Sequence, residues 1–183
     1  MDPALVRRAQ RGDVDAFTQL IAERIEPMSR TAMAIIGHEA DARDAVQEAL
    51  ASIWRSLPGL RDHSRFEAWS MRILVHASRR LARQRGGRSL REFPIEAPSG
   101  AANPVGTGFA AALTEPDVGG RDALERAFDR LDPNSRALLV LHHLDERPVA
   151  DIASILGLPE GTVKSRLHKA RADLERYLAL EDR

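Results

Sequence analysis

The chain has 183 residues, 43% of them hydrophobic and 4% aromatic, and it contains no cysteine, which excludes disulfides and thiolate metal sites. Its 27 Lys and Arg residues equal its 27 Asp and Glu residues, and this zero formal net charge argues against a general nucleic-acid coat protein. No apolar run approaches the ~20 residues that span a bilayer, and the N-terminus lacks a signal-peptide core, so we expect a cytoplasmic protein.

The N-terminal part of the chain is predicted to form five helices, near positions 3–11, 13–24, 26–36, 39–57 and 65–84. Asp2 and Asp13 are placed to cap the first two helices, because a short acidic side chain accepts hydrogen bonds from free backbone N–H groups. Gly12 and Gly37 are placed to end the first and third helices, since glycine readily adopts the left-handed conformation that closes a helix.

The fourth helix separates an apolar stripe from an acidic face. We expect the stripe to be buried; it consists of Val46, Leu50, Ile53 and Leu57, with Trp54 beside it. The outward face carries Asp41, Asp44, Glu48, Ser52 and Arg55, with Gln47 at its edge. Acids at a helix start ordinarily complement the helix dipole, and they form a docking face only if a basic partner exists.

The fifth helix carries a row of cations. Its inward face is predicted to be Phe66, Ile73, Ala77 and Leu81, with Trp69 near them. A second face carries a basic side chain at positions i, i+4, i+7 and i+11, namely Arg72, His76, Arg79 and Arg83. Like charges at these spacings repel one another by a few tenths of a kcal/mol per pair, roughly, and a polyanion would relieve that repulsion. A solvated basic face is the alternative.

A segment rich in Gly, Pro and Ser divides the chain. We predict two small helical domains, at 1–85 and 121–183, joined by a flexible linker at 86–120, because a packed helix does not tolerate so many helix breakers. The linker is either a passive tether or a segment that lies in a channel of a partner. Cationic residues dominate positions 65–91, and acidic residues dominate positions 92–132. The zero net charge of the chain therefore results from oppositely charged segments that cancel.

The C-terminal domain is predicted to contain a helix-turn-helix. Positions 148–157 form a short helix ended by Gly157, and a second helix starts at Pro159. Its buried stripe is Val163, Leu167, Ala170 and Leu174, which leaves Ser165, His168 and Lys169 outward, flanked by Lys164, Arg166 and Arg171. A second helix with small polar and basic residues near its start is typical of a major-groove reader, and a solvated structural hairpin is the alternative.

Several motifs together resemble the extracytoplasmic-function (ECF) sigma factors of bacterial RNA polymerase. They are RGDVDAF at 11–17, ARDAVQE at 42–48 with Ile53-Trp54, FEAW at 66–69 with Arg72-Ile73, LDPNSR at 131–136, Asp151-Ile-Ala, and LGLPEGTVKSRLHKAR at 156–171. The resemblance covers the chain except for the linker. It implies an all-α protein with no enzymatic activity and no cofactor or metal.

The resemblance also implies roles for particular residues. Binding of the polymerase clamp coiled coil is implied for Asp41, Asp44, Gln47, Glu48 and Arg55. Melting and reading of the minus-ten promoter element, with a flipped base held by loop 58–64, is implied for Arg61, His63, Arg65, Arg72, His76, Arg79, Arg80 and Arg83. Reading of the minus-thirty-five element is implied for Thr162, Lys164, Ser165, Arg166, His168, Lys169 and Arg171. The implied partners are polymerase core, including its flap, promoter DNA and an anti-sigma factor.

Three positions depart from the family pattern. His76 stands where the family commonly has Asn, so the base read there is expected to differ and to respond to pH. Ser70-Met71 replaces an aromatic contact. Arg147-Pro148 replaces the Ser or Thr that usually caps the first helix of the helix-turn-helix, so its backbone N–H groups need other partners.

Two other classes of protein are the alternatives. A regulator with a LuxR-like C-terminal domain shares the Thr-Val-Lys signature, but such proteins usually carry a βα domain, and no strand pattern precedes Arg91. An enzyme is disfavoured because no phosphate-binding or nucleophile motif is present. His142 and His143 are expected to point about 100° apart on a helix, and Asp145-Glu146 is expected to be a solvated helix end.

Overall fold

The computed structural model describes residues 2–92 and 118–181, and within them every regular element is helical, as predicted. An N-terminal unit contains α1 (Pro3–Gln10), α2 (Val14–Ala22), α3 (Ile25–Ile36), α4 (Glu39–Ser56) and α5 (Phe66–Glu92), with single 3-10 turns at Leu57–Gly59 and His63–Arg65. A C-terminal unit contains α6 (Val118–Asp129), α7 (Pro133–Leu139), a π-helical stretch at Val140–Leu144, α8 (Val149–Leu156) and α9 (Glu160–Glu181).

The helix boundaries follow the capping residues that the sequence predicted. Asp2 and Asp13 accept hydrogen bonds from the backbone N–H groups of Ala4 and Ala16, at 2.8 and 2.9 Å. Glycines at 12 and 37 have positive φ angles of 88° and 74°, so they close α1 and α3 in the left-handed region. Within the described residues, no helix combines the length and the apolar character that crossing a bilayer requires.

The N-terminal unit is built around the contact of α3 and α4 with α5. On α4 the predicted stripe is buried at Val46, Ile53 and Leu57, while Leu50 is half-buried. Trp54, beside the stripe, meets the Phe17 ring of α2 edge to face, with ring centroids 4.9 Å apart. These contacts fix the axis of α4, and with it the direction in which the acidic face points.

Helix α5 buries more of its surface than the sequence predicted. Phe66 and Ala77 are buried as expected, but Ile73, Leu81 and Trp69 are only half-buried. The buried positions also include Ser70, Met71, Leu74, Val75, Ser78 and Ala82. The prediction assumed one covered face, whereas α7 and α8 of the C-terminal unit cover a second face of α5.

Helix α5 is also longer than predicted. It runs to Glu92 instead of ending near position 84, and α6 starts at Val118. The predicted linker at 86–120 therefore overlaps both helices, and its remaining residues, 93–117, lie outside the described part of the chain. Two adjacent glycines cost an isolated helix roughly 2 kcal/mol, which lowers helix propensity without forbidding the conformation.

The C-terminal unit holds α9 against α8 and α7. The predicted stripe of α9 is buried at Val163, Leu167 and Ala170, and half-buried at Leu174. The C-terminal end of α9 is held against α6 by ion pairs. The Glu181 carboxylate pairs with Arg126 of α6 and with Arg130, which directly follows α6. The predicted helix-turn-helix is thus present, with α8 as its first helix and α9 as its second.

Gly157→Ala is expected to lower the free energy of unfolding by about 1 kcal/mol, because this residue closes α8 with φ +66°, which a Cβ disfavours. The added methyl would have the Arg72 guanidinium nitrogen as its nearest neighbour, at 3.6 Å, which is an ordinary contact. Gly161→Ala in the first turn of α9, where a Cβ meets nothing within 4 Å, is the matched control and should not destabilise. Urea unfolding measures both, and equal midpoints would contradict this assignment.

Candidate nucleic-acid interface

Helix α9 presents a cationic face to solvent. Its buried stripe leaves Lys164, Ser165, Arg166, His168, Lys169 and Arg171 exposed, while Thr162 is half-buried. The Thr162 carbonyl accepts from the Ser165 hydroxyl at 3.1 Å. Among the residues that the structure describes, no carboxylate forms an ion pair with Lys164, Arg166 or Lys169. Cations without acidic partners are free to meet phosphates or base edges, which favour Arg and Lys as donors.

Arg171 is held by two histidines, contrary to the expectation that they point apart. The guanidinium lies 3.2 Å from His143 Nε2 and 3.4 Å from His142 Nε2, and the two ring centroids are 4.7 Å apart. The π-helical stretch turns by less per residue than an α-helix, which brings consecutive rings closer together. The Nε2 atom of each histidine accepts from an N–H group of the Arg171 guanidinium. An imidazole nitrogen can accept only when the ring is neutral.

The basic row of α5 is only partly open to solvent. Arg72, His76 and Arg83 are exposed, and Arg80 is exposed but pairs with the Glu48 carboxylate of α4. Arg79 was expected to face outward, but it is half-buried, and its Nε donates to Asn134 Oδ1 of α7 at 2.8 Å. The difference arises because the C-terminal unit covers this side of α5, which the sequence of α5 alone does not show.

The basic faces of α5 and α9 repel each other electrostatically. Burial lowers the pKa of Arg79, and the nearby charges of Arg83 and of Arg166 on α9 lower it further. Burial also lowers the pKa of His76, followed by the charges of Arg79, Arg72 and Arg83. The two faces therefore adjoin in this arrangement and repel each other, and an anion placed between them would be attracted to both.

An open cleft of about 410 Å³ lies between α4 and α5. Trp69, Arg72, His76 and Arg80 line it from α5, and Glu48 lines it from α4. An aromatic ring beside several cations can stack an unpaired base while the cations meet its phosphates. The sequence singled out the cations of this cleft, but it treated Trp69 as part of the core.

The loop at 58–64 is held by α1. Gln10 Nε2 donates to the carbonyls of Leu57 and Leu60, at 3.0 and 2.7 Å, and Gln10 Oε1 lies 2.8 Å from His63 Nε2. Arg61 is exposed, as is the Arg65 side chain that pairs with Asp62 nearby. Sequence reasoning missed Gln10, because its partners lie about fifty positions away and no local pattern marks it.

The acidic face of α4 is divided by two ion pairs. Asp44, Gln47 and Arg55 are exposed, as predicted. Asp41 and Glu48 are half-buried instead, because they pair with arginines of α5 at positions 85 and 80, the first at 2.7 Å. The prediction considered α4 alone, whereas the arginines that pair with Asp41 and Glu48 belong to the neighbouring helix α5.

A groove of about 610 Å³ runs between α3 and α4, next to this face. Ile25, Met33, Val46 and Leu50 form its apolar part, and Gln47 lies among its polar lining residues. Ile25 keeps 37% of its surface exposed, which is high for a large apolar side chain in a folded unit. The groove depends on how two helices pack, so sequence reasoning did not find it.

Comparison with known protein families finds two matches. The model for sigma-70 region 2 matches residues 20–88, and the model for sigma-70 region 4 matches residues 121–174. The ECF RNA polymerase sigma factor SigM of Mycobacterium tuberculosis is 33% identical over 177 residues, covering 97% of this chain and 84% of SigM. The ECF RNA polymerase sigma-E factor of Escherichia coli is 30% identical over 180 residues, covering 95% and 92%.

Solved structures share the fold. CnrH, solved in complex with the cytosolic domain of CnrY, matches with a TM-score of 0.69 and 26% identity, over 98% of this chain and 97% of CnrH. The sigma factor RpoE of Bartonella quintana, solved in complex with the anti-sigma factor NepR, matches with a TM-score of 0.64 and 23% identity, over 89% and 96%. The second match supports the fold alone.

Arg72→Gln is expected to raise the pKa of His76, because it removes one of the three positive charges that disfavour the imidazolium. Arg43→Gln is the matched control, since Arg43 lines the groove between α3 and α4 instead of the cleft that contains His76. NMR titration of the His76 ring protons measures the change. The same titration midpoint in the Arg72 variant and the unaltered chain would contradict the electrostatic account.

Proposed function

Since the chain belongs to the ECF sigma factors of bacterial RNA polymerase, we propose that it binds polymerase core and directs it to promoters by reading a minus-thirty-five and a minus-ten element. Such a protein is a transcription initiation factor and carries out no chemistry of its own. Its work is to position a larger enzyme, so its function depends on two kinds of surface, one for the polymerase and one for DNA.

The minus-thirty-five element is assigned to α9, and the exposed cationic face of this helix carries the proposal. Lys164, Ser165 and Arg166 lie near the start of the helix, where a recognition helix reaches base edges. His168, Lys169 and Arg171 follow on the exposed side, and the half-buried Thr162 precedes them. The buried stripe of α9 holds these side chains in one orientation, so they can enter a major groove together.

The minus-ten element is assigned to α5 and the preceding loop. The cleft between α4 and α5 offers Trp69 as a stacking surface and Arg72 and His76 as polar neighbours. Arg61, His63 and Arg65 lie on the loop that Gln10 holds in place. A fixed loop beside a cationic cleft is suited to strand separation, because an unpaired base can be stacked while its backbone is neutralised. Arg80 and Arg83 extend the surface along α5, and the half-buried Arg79 beside them is bound to Asn134.

Polymerase docking is assigned to α4. Asp44, Gln47 and Arg55 are exposed beside the apolar groove that α3 completes. A partner helix that fills the groove with apolar side chains and offers cations to Asp44 would bury the exposed Ile25. The half-buried Asp41 and Glu48 also hold α4 against α5 through their ion pairs, in addition to their proposed contact with polymerase.

The remaining parts of the proposal follow from the family. The two promoter-reading domains are placed at 1–85 and 121–183, with the linker between them, and the site of action is the cytoplasm. The partners are the clamp and flap of the polymerase, promoter DNA and an anti-sigma factor. Binding of a further protein partner is supported by CnrH, which was solved in complex with the cytosolic domain of CnrY.

Transcription with purified components tests this function. The chain, added to polymerase core that carries no other sigma factor, is expected to start transcripts at defined positions. Promoters selected from a random library should share two elements at a fixed separation. A regulator with a LuxR-like domain would need a holoenzyme that already carries a sigma factor, so an absence of transcripts with core alone would reject the proposal.

Lys164→Ala or Arg166→Ala is expected to cost about 1–3 kcal/mol of promoter discrimination if the side chain contacts a base. If it contacts only phosphate, all sequences should bind more weakly and the salt dependence should flatten. Binding of matched and mismatched promoters by holoenzyme, at several salt concentrations, separates the two outcomes. Arg176→Ala, near the far end of α9, is the control. No change in either assay would remove α9 from the interface.

Asp44→Ala combined with Gln47→Ala is expected to weaken binding to polymerase core while the melting temperature of the chain stays the same, because both side chains are exposed. Asp15→Ala combined with Gln19→Ala removes the same two residue types from the exposed side of α2, and serves as the control. Titration of labelled core measures the affinity. Equal affinity for both double variants would reject the docking face.

A further inference from the structure

Gln10, the last residue of α1, holds three points of the segment that runs from Leu57 to His63. Its Nε2 group donates to the carbonyl of Leu57 at 3.0 Å and to the carbonyl of Leu60 at 2.7 Å. Its Oε1 atom lies 2.8 Å from His63 Nε2. The Gln10 side chain is half-buried, so these contacts are partly shielded from water. One amide therefore uses all of its polar groups on the loop between α4 and α5.

The partners of Gln10 determine which way its amide points. A carbonyl oxygen can only accept a hydrogen bond, so the amide atom that faces Leu57 and Leu60 must be the nitrogen. The amide oxygen is then the atom that faces His63 Nε2, and an amide oxygen also can only accept. The Nε2 atom of His63 must therefore carry a proton.

A proton held on Nε2 makes the other ring nitrogen of His63 an acceptor. In a neutral imidazole one nitrogen donates and the other accepts, so Nδ1 is the acceptor here. No group among the described residues donates to Nδ1. This atom is also absent from the buried polar atoms that lack a partner, so it is open to solvent. His63 thus presents an acceptor nitrogen that a molecule outside the chain can reach.

The other acceptor side chains of the loop are already occupied. The Asp62 carboxylate accepts from the backbone N–H group of Ser64 at 3.0 Å and from the Ser64 hydroxyl at 2.5 Å. It also pairs with Arg65 at 3.3 Å. Arg61 is exposed beside them and can only donate. Within the loop at 58–64, the side-chain acceptor that has no partner is therefore Nδ1 of His63.

We propose that Gln10 is a positioning residue for base recognition, which holds His63 so that Nδ1 accepts from the exocyclic amino group of an unpaired base. Adenine, cytosine and guanine carry such a group, whereas thymine lacks one and offers carbonyl oxygens that an acceptor nitrogen repels. The base preference rests on the proposed function, whereas the position of the proton on His63 does not. Gln10 lies before residues 20–88, which the model for sigma-70 region 2 matches.

The position of the proton is tested in the unaltered free chain. Long-range proton–nitrogen correlation NMR distinguishes the ring nitrogen that carries a proton from the one that does not, at an alkaline pH where imidazoles are neutral. The signals of His63 are assigned as those that disappear in His63→Phe. We expect the proton on Nε2, and a proton on Nδ1 would overturn the proposal before any DNA is added.

Base recognition is tested with holoenzyme and a selected promoter, kept unpaired across the minus-ten element by mismatches. Each base of one strand is replaced in turn by its analogue without the amino group, namely uracil for cytosine, purine for adenine and hypoxanthine for guanine. The unaltered chain is expected to lose about tenfold in affinity at one position. Gln10→Met keeps the side-chain length but removes the three hydrogen bonds, so it should bind both forms of that base equally. Gln19→Met, on the exposed side of α2, is the matched control and should behave like the unaltered chain.

A double-mutant cycle separates positioning from a general loss of structure. His63→Phe, Gln10→Met and the combination should abolish the same tenfold preference, because both residues act through one atom. Affinity for core and discrimination at the minus-thirty-five element should stay the same. Preference that persists in His63→Phe or in Gln10→Met overturns the proposal, as do losses that add. Circular dichroism reports folding, and if Gln10→Met is unfolded, the proton position and His63→Phe decide.

The failure of this inference can be told apart from the failure of the proposed function. Absent transcripts with the unaltered chain and core enzyme reject the proposed function. Normal transcripts from a promoter at which no position depends on an amino group reject the base preference alone.

Discussion

Helix α5 packs against other helices on two of its sides, and this double burial decides which of its charged side chains reach solvent. One side meets α3 and α4, and another meets α7 and α8. Transfer of its apolar residues out of water stabilises both contacts. What is left exposed is a narrow strip that contains Arg72, His76 and Arg83. Because the C-terminal unit rests on the same helix, the position of that unit determines which cations of α5 are accessible.

The sequence predicted best what depends on one helix alone. The all-α fold, the caps at Asp2 and Asp13, and the exposed face of α9 were readable, because periodicity and capping act within a few residues of each other. The errors in placing charged side chains share a cause. Arg79 and Asp145 were placed in solvent, but partners far along the chain hold them. Such contacts leave no local pattern in the sequence, so they cannot be predicted by considering each helix separately.

Polymerase docking and DNA reading occupy different sides of the N-terminal unit in the proposed function. The groove between α3 and α4 contains Gln47, while the cleft between α4 and α5 contains Glu48, so neighbouring residues of one helix line separate surfaces. Helix geometry produces this separation, since consecutive residues differ by about 100° around the axis. In the proposed function, adjacent residues of α4 therefore serve two different surfaces.

The two imidazoles that contact Arg171 hold this cation against the π-helical stretch without an ion pair. A guanidinium keeps its charge across the physiological range, but a histidine ring that takes up a proton turns its acceptor nitrogen into a donor. Burial, followed by the charges of His142 and Arg171, lowers the pKa of His143, so this ring keeps its acceptor nitrogen for the Arg171 Nε–H group. Arg171 is therefore positioned by acceptor nitrogens, and no ion pair among the described residues cancels its charge at this end of α9.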